Sequence, residues 1–229
     1  MSPADVSTNI LSVPKKRRLT VLVAGHSLVA RASEQCDTRN FRRSLGLSYV
    51  KVIWKGIPGL SWARMPEIAS CVAELQPDIV YVQEVGNDLD SPHSVTDVID
   101  RHFPMVRSWS HGLGVPVVII GEEMDRRSRP RTRTLDTDDY NFRVRQYNES
   151  IRRICVKSAE DFAENFSPSC FFTDCIWFWQ HRQLSGKRGR VFLDKDGVHF
   201  GKDGVVKHLM SIRTAVGKAA KLVWGKEEA

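Results

Sequence analysis

The feature that most constrains the fold of this chain is an alternation of short apolar runs with longer amphipathic segments. Five runs have the length and the β-branched or aromatic content of buried strands, at residues 19–24, 49–54, 79–82, 115–120 and 171–178. Most of these runs are apolar on both sides instead of alternating with polar residues. That pattern is typical of strands that are covered on both faces of a sheet.

Three longer segments carry apolar residues at three- and four-residue spacing, at residues 62–75, 139–166 and 202–222. This spacing predicts helices with one buried face. Strands separated by helices favour a parallel sheet with helices on both faces. We therefore predict an α/β fold: a three-layer α/β/α sandwich with a mostly parallel central sheet.

The size and composition of the chain favour one globular domain. Its 229 residues are 41% hydrophobic and 27% charged, which suffices to bury a sizeable core. We predict a basic, flexible N-terminal segment at residues 1–18 and one folded domain at residues 19–225. We find no internal repeat and no low-complexity tract.

Several classes of protein are disfavoured by what the sequence lacks. No run approaches the roughly 20 apolar residues of a membrane-spanning helix, and the N-terminus has no signal-peptide core. Five scattered cysteines without a CxxC pair argue against a disulfide framework and a four-ligand zinc site. We expect an intracellular protein, cytoplasmic or nuclear, without a metal or an organic cofactor.

Positive charge is concentrated in two places of a chain whose formal net charge is +7. One cluster is Lys15, Lys16, Arg17 and Arg18, which together with Pro14 resembles a nuclear import signal. The other is an Arg-rich run at residues 126–133, which follows the fourth predicted strand. Such clusters attract nucleic acid through Coulomb forces and counterion release. The alternative for both clusters is a solvated flank or loop. The Arg-rich run could be a mobile surface loop or could overhang a ligand site after the fourth strand.

Polar residues that directly follow the strands are the candidates for chemistry, because ligands bind beyond the carboxyl ends of parallel strands. After the first strand, Gly25 allows a tight turn and Ser27 stands at the start of a helix. A free backbone N–H and the helix dipole there suit a nucleophilic hydroxyl. The alternative is that Ser27 only caps the helix.

The next two strands are followed by groups that can donate a hydrogen bond to an oxyanion. Gly59 follows the second strand and can bring its backbone N–H against a ligand. Asn87 follows the third strand and can direct its side-chain amide to the same place. Both residues are also ordinary turn formers.

Asp196 and His199 lie three residues apart just before the last predicted helix. This spacing brings both side chains to one side of a turn. The carboxylate can then accept a hydrogen bond from one imidazole nitrogen while the other faces a serine hydroxyl. A helix cap is the alternative, and a metal site is disfavoured because no third ligand lies nearby in sequence.

Taken together and in this order, the four elements resemble the motif blocks of the SGNH (GDSL-type) hydrolase family. The resemblance spans residues 19–215 and implies that Ser27, Asp196 and His199 are catalytic. It also implies that Ser27, Gly59 and Asn87 form the oxyanion hole. Asn87 and Asp88 match the GxND block of that family, and Asp196 and His199 match its DxxH block.

Two positions depart from the family pattern and put the geometry of the oxyanion hole in question. His26 stands where the family usually has Asp, and Val85 stands where the GxND block has its glycine. The histidine, together with Tyr147 and Asn148, is similar to an animal, retrotransposon-related branch of the family. On a sharp turn, we expect the side chain of His26 to point away from that of Ser27.

We therefore predict a serine esterase that hydrolyses carboxylic (acyl or acetyl) esters through a Ser-His-Asp triad. The alternative is a catalytically weakened domain of the same fold that binds nucleic acid through its basic clusters. A nucleotide-binding fold is disfavoured because no GxxxxGK[ST] loop is present. The remaining histidines are expected to lack a convergent partner: His93, His102, His111, His181 and His208.

Overall fold

The computed structural model describes residues 17–36, 41, 43–128, 135–165 and 176–227, without the side chains of residues 157–165 and 226–227. Among these residues, five parallel strands form one sheet in the order β2-β1-β3-β4-β5. In chain order the strands are β1 (Leu19–Gly25), β2 (Val50–Gly56), β3 (Ile79–Gln83), β4 (Val117–Gly121) and β5 (Ile176–Trp179).

Within the described ranges, six α-helices connect and cover the strands. They are α1 (Ser27–Cys36), α2 (Met65–Leu75), α3 (Val95–His111), α4 (Thr137–Asn165), the single turn α5 (Gly186–Gly189) and α6 (Lys202–Glu227). One face of the sheet packs against α1 and α6, and the other packs against α2, α3 and α4. Burial of both faces accounts for the continuous apolar strands. The predicted three-layer sandwich with a parallel sheet is confirmed.

The register of the sheet brings the carboxyl ends of its strands to one edge. Gly25 at the end of β1 pairs with Gly56 of β2 and with Gln83 of β3. Gly121 ends β4 opposite Trp179 of β5. The loops that follow these strands therefore emerge side by side, as expected for a ligand site.

Some predicted boundaries differ from the observed ones for local reasons. The predicted helix at 62–75 is divided into a 3-10 turn at Trp62–Arg64 and the helix α2, which has Pro66 in its first turn. Proline is tolerated there because its missing N–H would have no acceptor within the helix. Of the predicted fifth strand, residues 171–175 lie outside the described residues.

The N-terminal basic cluster is partly attached to the fold. Arg17 donates two hydrogen bonds to the Asp78 carboxylate, at 3.0 and 2.7 Å, and Arg18 donates one to the Val50 carbonyl at 2.9 Å. Lys15 and Lys16 lie outside the described residues. Among the described helices, none combines the length and the apolarity that crossing a membrane requires.

Candidate active site

The turn between β1 and α1 places Ser27 at the carboxyl edge of the sheet. A Cβ atom on Gly25 would lie 2.1 Å from the Gln83 carbonyl oxygen, so only glycine fits there. The same carbonyl accepts the His26 backbone N–H at 3.0 Å. The chain therefore turns sharply into α1, and Ser27 is the first residue of that helix.

Asp196 and His199 lie on a tight loop that is closed by a β-bridge between Leu193 and Phe200. Asp196 Oδ1 accepts the backbone N–H groups of Val198 and His199, both at 2.9 Å. These bonds fix the carboxylate against the turn and direct its second oxygen to the ring of His199.

The segment after β4 forms hydrogen bonds to the loop that carries Asp196 and His199. The Arg127 N–H donates to the Gly197 carbonyl at 2.7 Å, and Ser128 Oγ donates to the Asp196 carbonyl at 2.6 Å. The position of His199 is therefore set by residues that lie about 70 positions earlier in the chain.

The structure brings Ser27, His199 and Asp196 into a hydrogen-bonded row. The distance from Ser27 Oγ to His199 Nε2 is 3.0 Å, and from His199 Nδ1 to Asp196 Oδ2 it is 2.7 Å. Both distances fall within the roughly 2.6–3.2 Å that proton transfer requires.

The protonation states follow from the surroundings of this row. Partial burial would raise the pKa of Asp196, but the N–H groups of His199 and Val198 and the imidazole together lower it to about 2. Burial lowers the pKa of His199 below its usual value, although Asp196 opposes that shift. At neutral pH the ionised Asp196 accepts from Nδ1–H of a neutral imidazole, so Nε2 is free to accept the Ser27 proton.

The predicted oxyanion donors line the same cavity of about 360 Å³ as Ser27 and His199. Among the described residues, the backbone N–H groups of Ser27 and Gly59 have no hydrogen-bond acceptor. Asn87 lies on a 3-10 segment, Val85–Asp90, and its amide donates to the Leu60 carbonyl at 2.8 Å, which orients the side chain. All the sequence-predicted site residues therefore meet at one place.

His26 lines the same cavity as Ser27 and contacts a residue that the sequence analysis missed. Its Nε2 lies 2.9 Å from Oε2 of Glu123, and both side chains are buried. Glu123 follows β4 after one intervening residue. The rule that polar residues after strands carry chemistry would have singled it out, had it been applied to the fourth strand.

The expectation that His102 lacks a partner is wrong. It projects from α3 into the apolar layer, where Nδ1 lies 3.4 Å from Glu84 Oε1 and Nε2 lies 3.3 Å from Asp88 Oδ2. Asp88 also accepts the Trp62 N–H at 3.0 Å. The carboxylates on either side of Asn87 are thus tied to one buried imidazole.

The same expectation is wrong for His181 and His208, which belong to a polar cluster between the sheet and α6. His181 lies 2.8 Å from both Tyr81 Oη and Ser211 Oγ, and His208 Nε2 lies 3.0 Å from Gln83 Oε1. Burial lowers the pKa of His181 to about 3, so its ring is neutral. A cavity of about 610 Å³ opens beside His181 and Ser211 but does not include Ser27.

The first residue of the Arg-rich run is buried, contrary to the interpretation of that run as a mobile surface loop. Arg126 forms an ion pair with Asp90 and lies over the Tyr140 ring at 3.8 Å from its centroid. Residues 129–134 lie outside the described residues. Within the described ranges, no three His, Cys, Asp or Glu side chains are grouped as a metal ion would require.

No protein-family model and no curated protein matches this sequence. Solved structures do match it. A GDSL-like lipase from Bacteroides thetaiotaomicron is 17% identical, with a TM-score of 0.67 over 87% of this chain and 88% of its own. A member of the lipolytic G-D-S-L family from Veillonella parvula is 15% identical, with a TM-score of 0.58 over 84% and 94%.

A carbohydrate esterase of family 3 from Talaromyces cellulolyticus is 14% identical, with a TM-score of 0.59 over 92% of this chain and 99% of its own. The chain therefore has the fold of the SGNH (GDSL-type) hydrolases, as the resemblance implied. These comparisons give no support to the link with a retrotransposon-related branch.

Proposed function

We propose that this protein is a serine esterase that hydrolyses carboxylic esters, with Ser27 as nucleophile. The observation that carries the proposal is the row from Ser27 Oγ through His199 to Asp196, at 3.0 and 2.7 Å. It stands at the carboxyl edge of the sheet beside the backbone N–H groups of Ser27 and Gly59, which have no acceptor within the part of the chain that the structure describes. The solved structures of the same fold are named lipases and carbohydrate esterases, which supports the same reaction class.

Acylation begins when Ser27 Oγ attacks the ester carbonyl carbon and passes its proton to His199 Nε2. The carbonyl π electrons move to the oxygen, which becomes an oxyanion. Asp196 keeps the proton on Nδ1 and stabilises the imidazolium. His199 then returns its proton to the leaving alkoxide as the carbon–oxygen bond breaks, which leaves an acyl group on Ser27.

Deacylation repeats these steps with water as the nucleophile. Water gives a proton to His199 as it attacks the acyl carbon, and Ser27 leaves with that proton. In both tetrahedral species we assign the hydrogen bonds that stabilise the oxyanion to the Ser27 N–H, the Gly59 N–H and the Asn87 amide. Loss of one such donor typically slows turnover about 10²–10³-fold.

The lining of the cavity favours a small acyl group. Its volume of about 360 Å³ is at the lower end of the roughly 300–1,000 Å³ found for ligand pockets. Leu28, Met124 and Tyr140 supply apolar wall. We therefore assign short-chain acyl esters, such as acetyl esters, as the substrate class.

The test is release of p-nitrophenol from p-nitrophenyl acetate by the purified protein. Ser27→Ala should reduce kcat by about 10⁴-fold or more, because removing a triad nucleophile leaves only binding and the oxyanion hole. Ser211→Ala is the matched control, since Ser211 also contacts a histidine, His181, but outside this cavity. Equal loss in both variants, or none in Ser27→Ala, would refute the proposal.

The nucleic-acid-binding alternative gains no support from the described residues. Arg17 and Arg18 make hydrogen bonds to the fold, as described above, and Arg126 is paired with Asp90. The esterase therefore remains the function that the geometry supports best.

A further inference from the structure

Glu123 is a buried carboxylate that has no part in the proposed hydrolysis. It nevertheless contacts both the turn that carries Ser27 and the segment that carries Asn87. It is 3% exposed. Oε1 accepts the Val85 backbone N–H at 3.1 Å, and Oε2 lies 2.9 Å from His26 Nε2. Val85 begins the 3-10 segment that carries Asn87, and His26 directly precedes Ser27. One carboxylate thus bridges the nucleophile turn and the oxyanion segment.

The tautomer of His26 follows from its second contact. The Leu28 backbone N–H donates to His26 Nδ1 at 3.3 Å, so Nδ1 is an acceptor and carries no proton. The proton of the neutral ring is then on Nε2, which donates to Glu123. A second proton on the ring would set Nδ1–H against the Leu28 N–H.

Glu123 is held in turn by α4. Its backbone N–H donates to Asn148 Oδ1 at 3.0 Å, and Asn148 Nδ2 donates to its carbonyl at 2.9 Å. This pair of bonds fixes the backbone at the end of β4. The carboxylate therefore projects from a rigid base toward His26 and Val85.

We propose that His26 and Glu123 are positioning residues that fix the position of Ser27 relative to the segment carrying Asn87. This inference rests on the proposed esterase function. It also accounts for the histidine at a position where the resembled family has Asp. A carboxylate there would bring a second negative charge toward Glu123 in a buried place, which is unfavourable, whereas a neutral imidazole donates a hydrogen bond.

Gly86 packs closely against this pair. A Cβ on Gly86 would lie 3.1 Å from both Glu123 Oε2 and His26 Nε2, closer than most such contacts. Val85 stands where the GxND block has its glycine, and in this chain the glycine follows one position later. The displaced glycine therefore faces the pair.

Two substitutions of His26 separate its two ring contacts. His26→Gln can place an amide N–H where Nε2–H was, which keeps the bond to Glu123 but removes the acceptor for the Leu28 N–H. His26→Asn can keep that acceptor but does not reach Glu123. If the pair positions Ser27, kcat on p-nitrophenyl acetate should fall less than about 5-fold in the Gln variant and about 10²-fold in the Asn variant. If His26 only capped α1 by accepting the Leu28 N–H, the Gln variant would lose more activity than the Asn variant.

Glu123→Gln tests the other partner. The carboxylate accepts from two donors, and an amide has only one acceptor oxygen, so one contact becomes donor against donor. We expect kcat to fall about 10²-fold with KM changed less than about 3-fold, because such misplacement affects the reacting atoms more than substrate binding. Glu122→Gln is the matched control, since the adjacent buried carboxylate contacts His181 N and Ser185 instead.

The outcomes distinguish this inference from the proposed function. An active wild type and an inactive Ser27→Ala, with full activity in Glu123→Gln and His26→Asn, would overturn the positioning role and leave the esterase intact. An inactive wild type would overturn both. If Glu123→Gln does not fold, the order of the kcat values of the two His26 variants decides the question. Both are then assayed at a temperature at which thermal unfolding shows them to be fully folded.

Discussion

Replacement of His102 by glutamine removes the positive charge that α3 places between two buried carboxylates. Burial by itself lowers the pKa of this imidazole, but Asp88 and Glu84 outweigh that effect and raise it to about 9. A group whose pKa is raised on folding stabilises the folded state most below its unfolded pKa of 6.5. That stabilisation is lost as the pH rises through about 9.

The magnitude follows from the two pKa values. A shift from 6.5 to about 9 corresponds to about 3 kcal/mol, at about 1.4 kcal/mol per unit. Between pH 6 and pH 10, the free energy of unfolding of the wild type should therefore fall by about 3 kcal/mol more than that of His102→Gln. At pH 6 the variant should itself be less stable by about 3–5 kcal/mol, because Glu84 and Asp88 lose their partner.

Urea unfolding at pH 6, 8 and 10, followed by tryptophan fluorescence, measures both effects. Tyr81 and Tyr147, whose pKa values are raised by burial, stay neutral in the fold and ionise only on unfolding at high pH. This contribution is the same in both proteins and cancels in the difference. Parallel pH profiles of the two proteins would show that His102 carries no charge in the fold. That result would refute the assignment.

Three further predictions concern catalysis and packing. Burial lowers the pKa of His199, and only its neutral form accepts the Ser27 proton. We therefore expect kcat/KM, measured from pH 4 to 8, to fall on acidification with a midpoint below pH 6.5. A midpoint above pH 6.5 would contradict this. Gly56→Ala should lower the free energy of unfolding by about 1–3 kcal/mol and reduce activity, because its Cβ would lie 2.3 Å from Ala30 Cα in α1. Gly225→Ala, with open space around its Cβ, should instead stabilise α6 by up to about 1 kcal/mol in the same assay.

The strands and the positions of Ser27, Asn87 and His199 could be predicted because each depends on local sequence. A strand buried on both faces is apolar throughout, and the residues at its carboxyl end must lie at the sheet edge. The Asp196–His199 pair is also local, since both members belong to one turn. These elements needed no knowledge of what packs against them.

The contacts of the buried titratable residues could not be predicted in this way. His26 and Glu123 are 97 residues apart, and their contact depends on the register of β1, β3 and β4. His102 belongs to an otherwise apolar face of α3. Its local sequence does not indicate that the carboxylates of Glu84 and Asp88 lie against it. Arg126 belongs in sequence to a run of arginines typical of a surface loop, although its ion pair with Asp90 is buried.

The order of the strands has a consequence for synthesis of the chain. The nucleophile turn follows the first strand to be made, but β1 is an inner strand whose neighbours β2 and β3 are translated later. The proposed base, His199, is translated 172 residues after the proposed nucleophile, Ser27. A nascent chain on the ribosome therefore carries the serine without its proposed proton acceptor. If the proposed function holds, ester hydrolysis would report that translation has passed residue 199 and that the sheet has closed around β1.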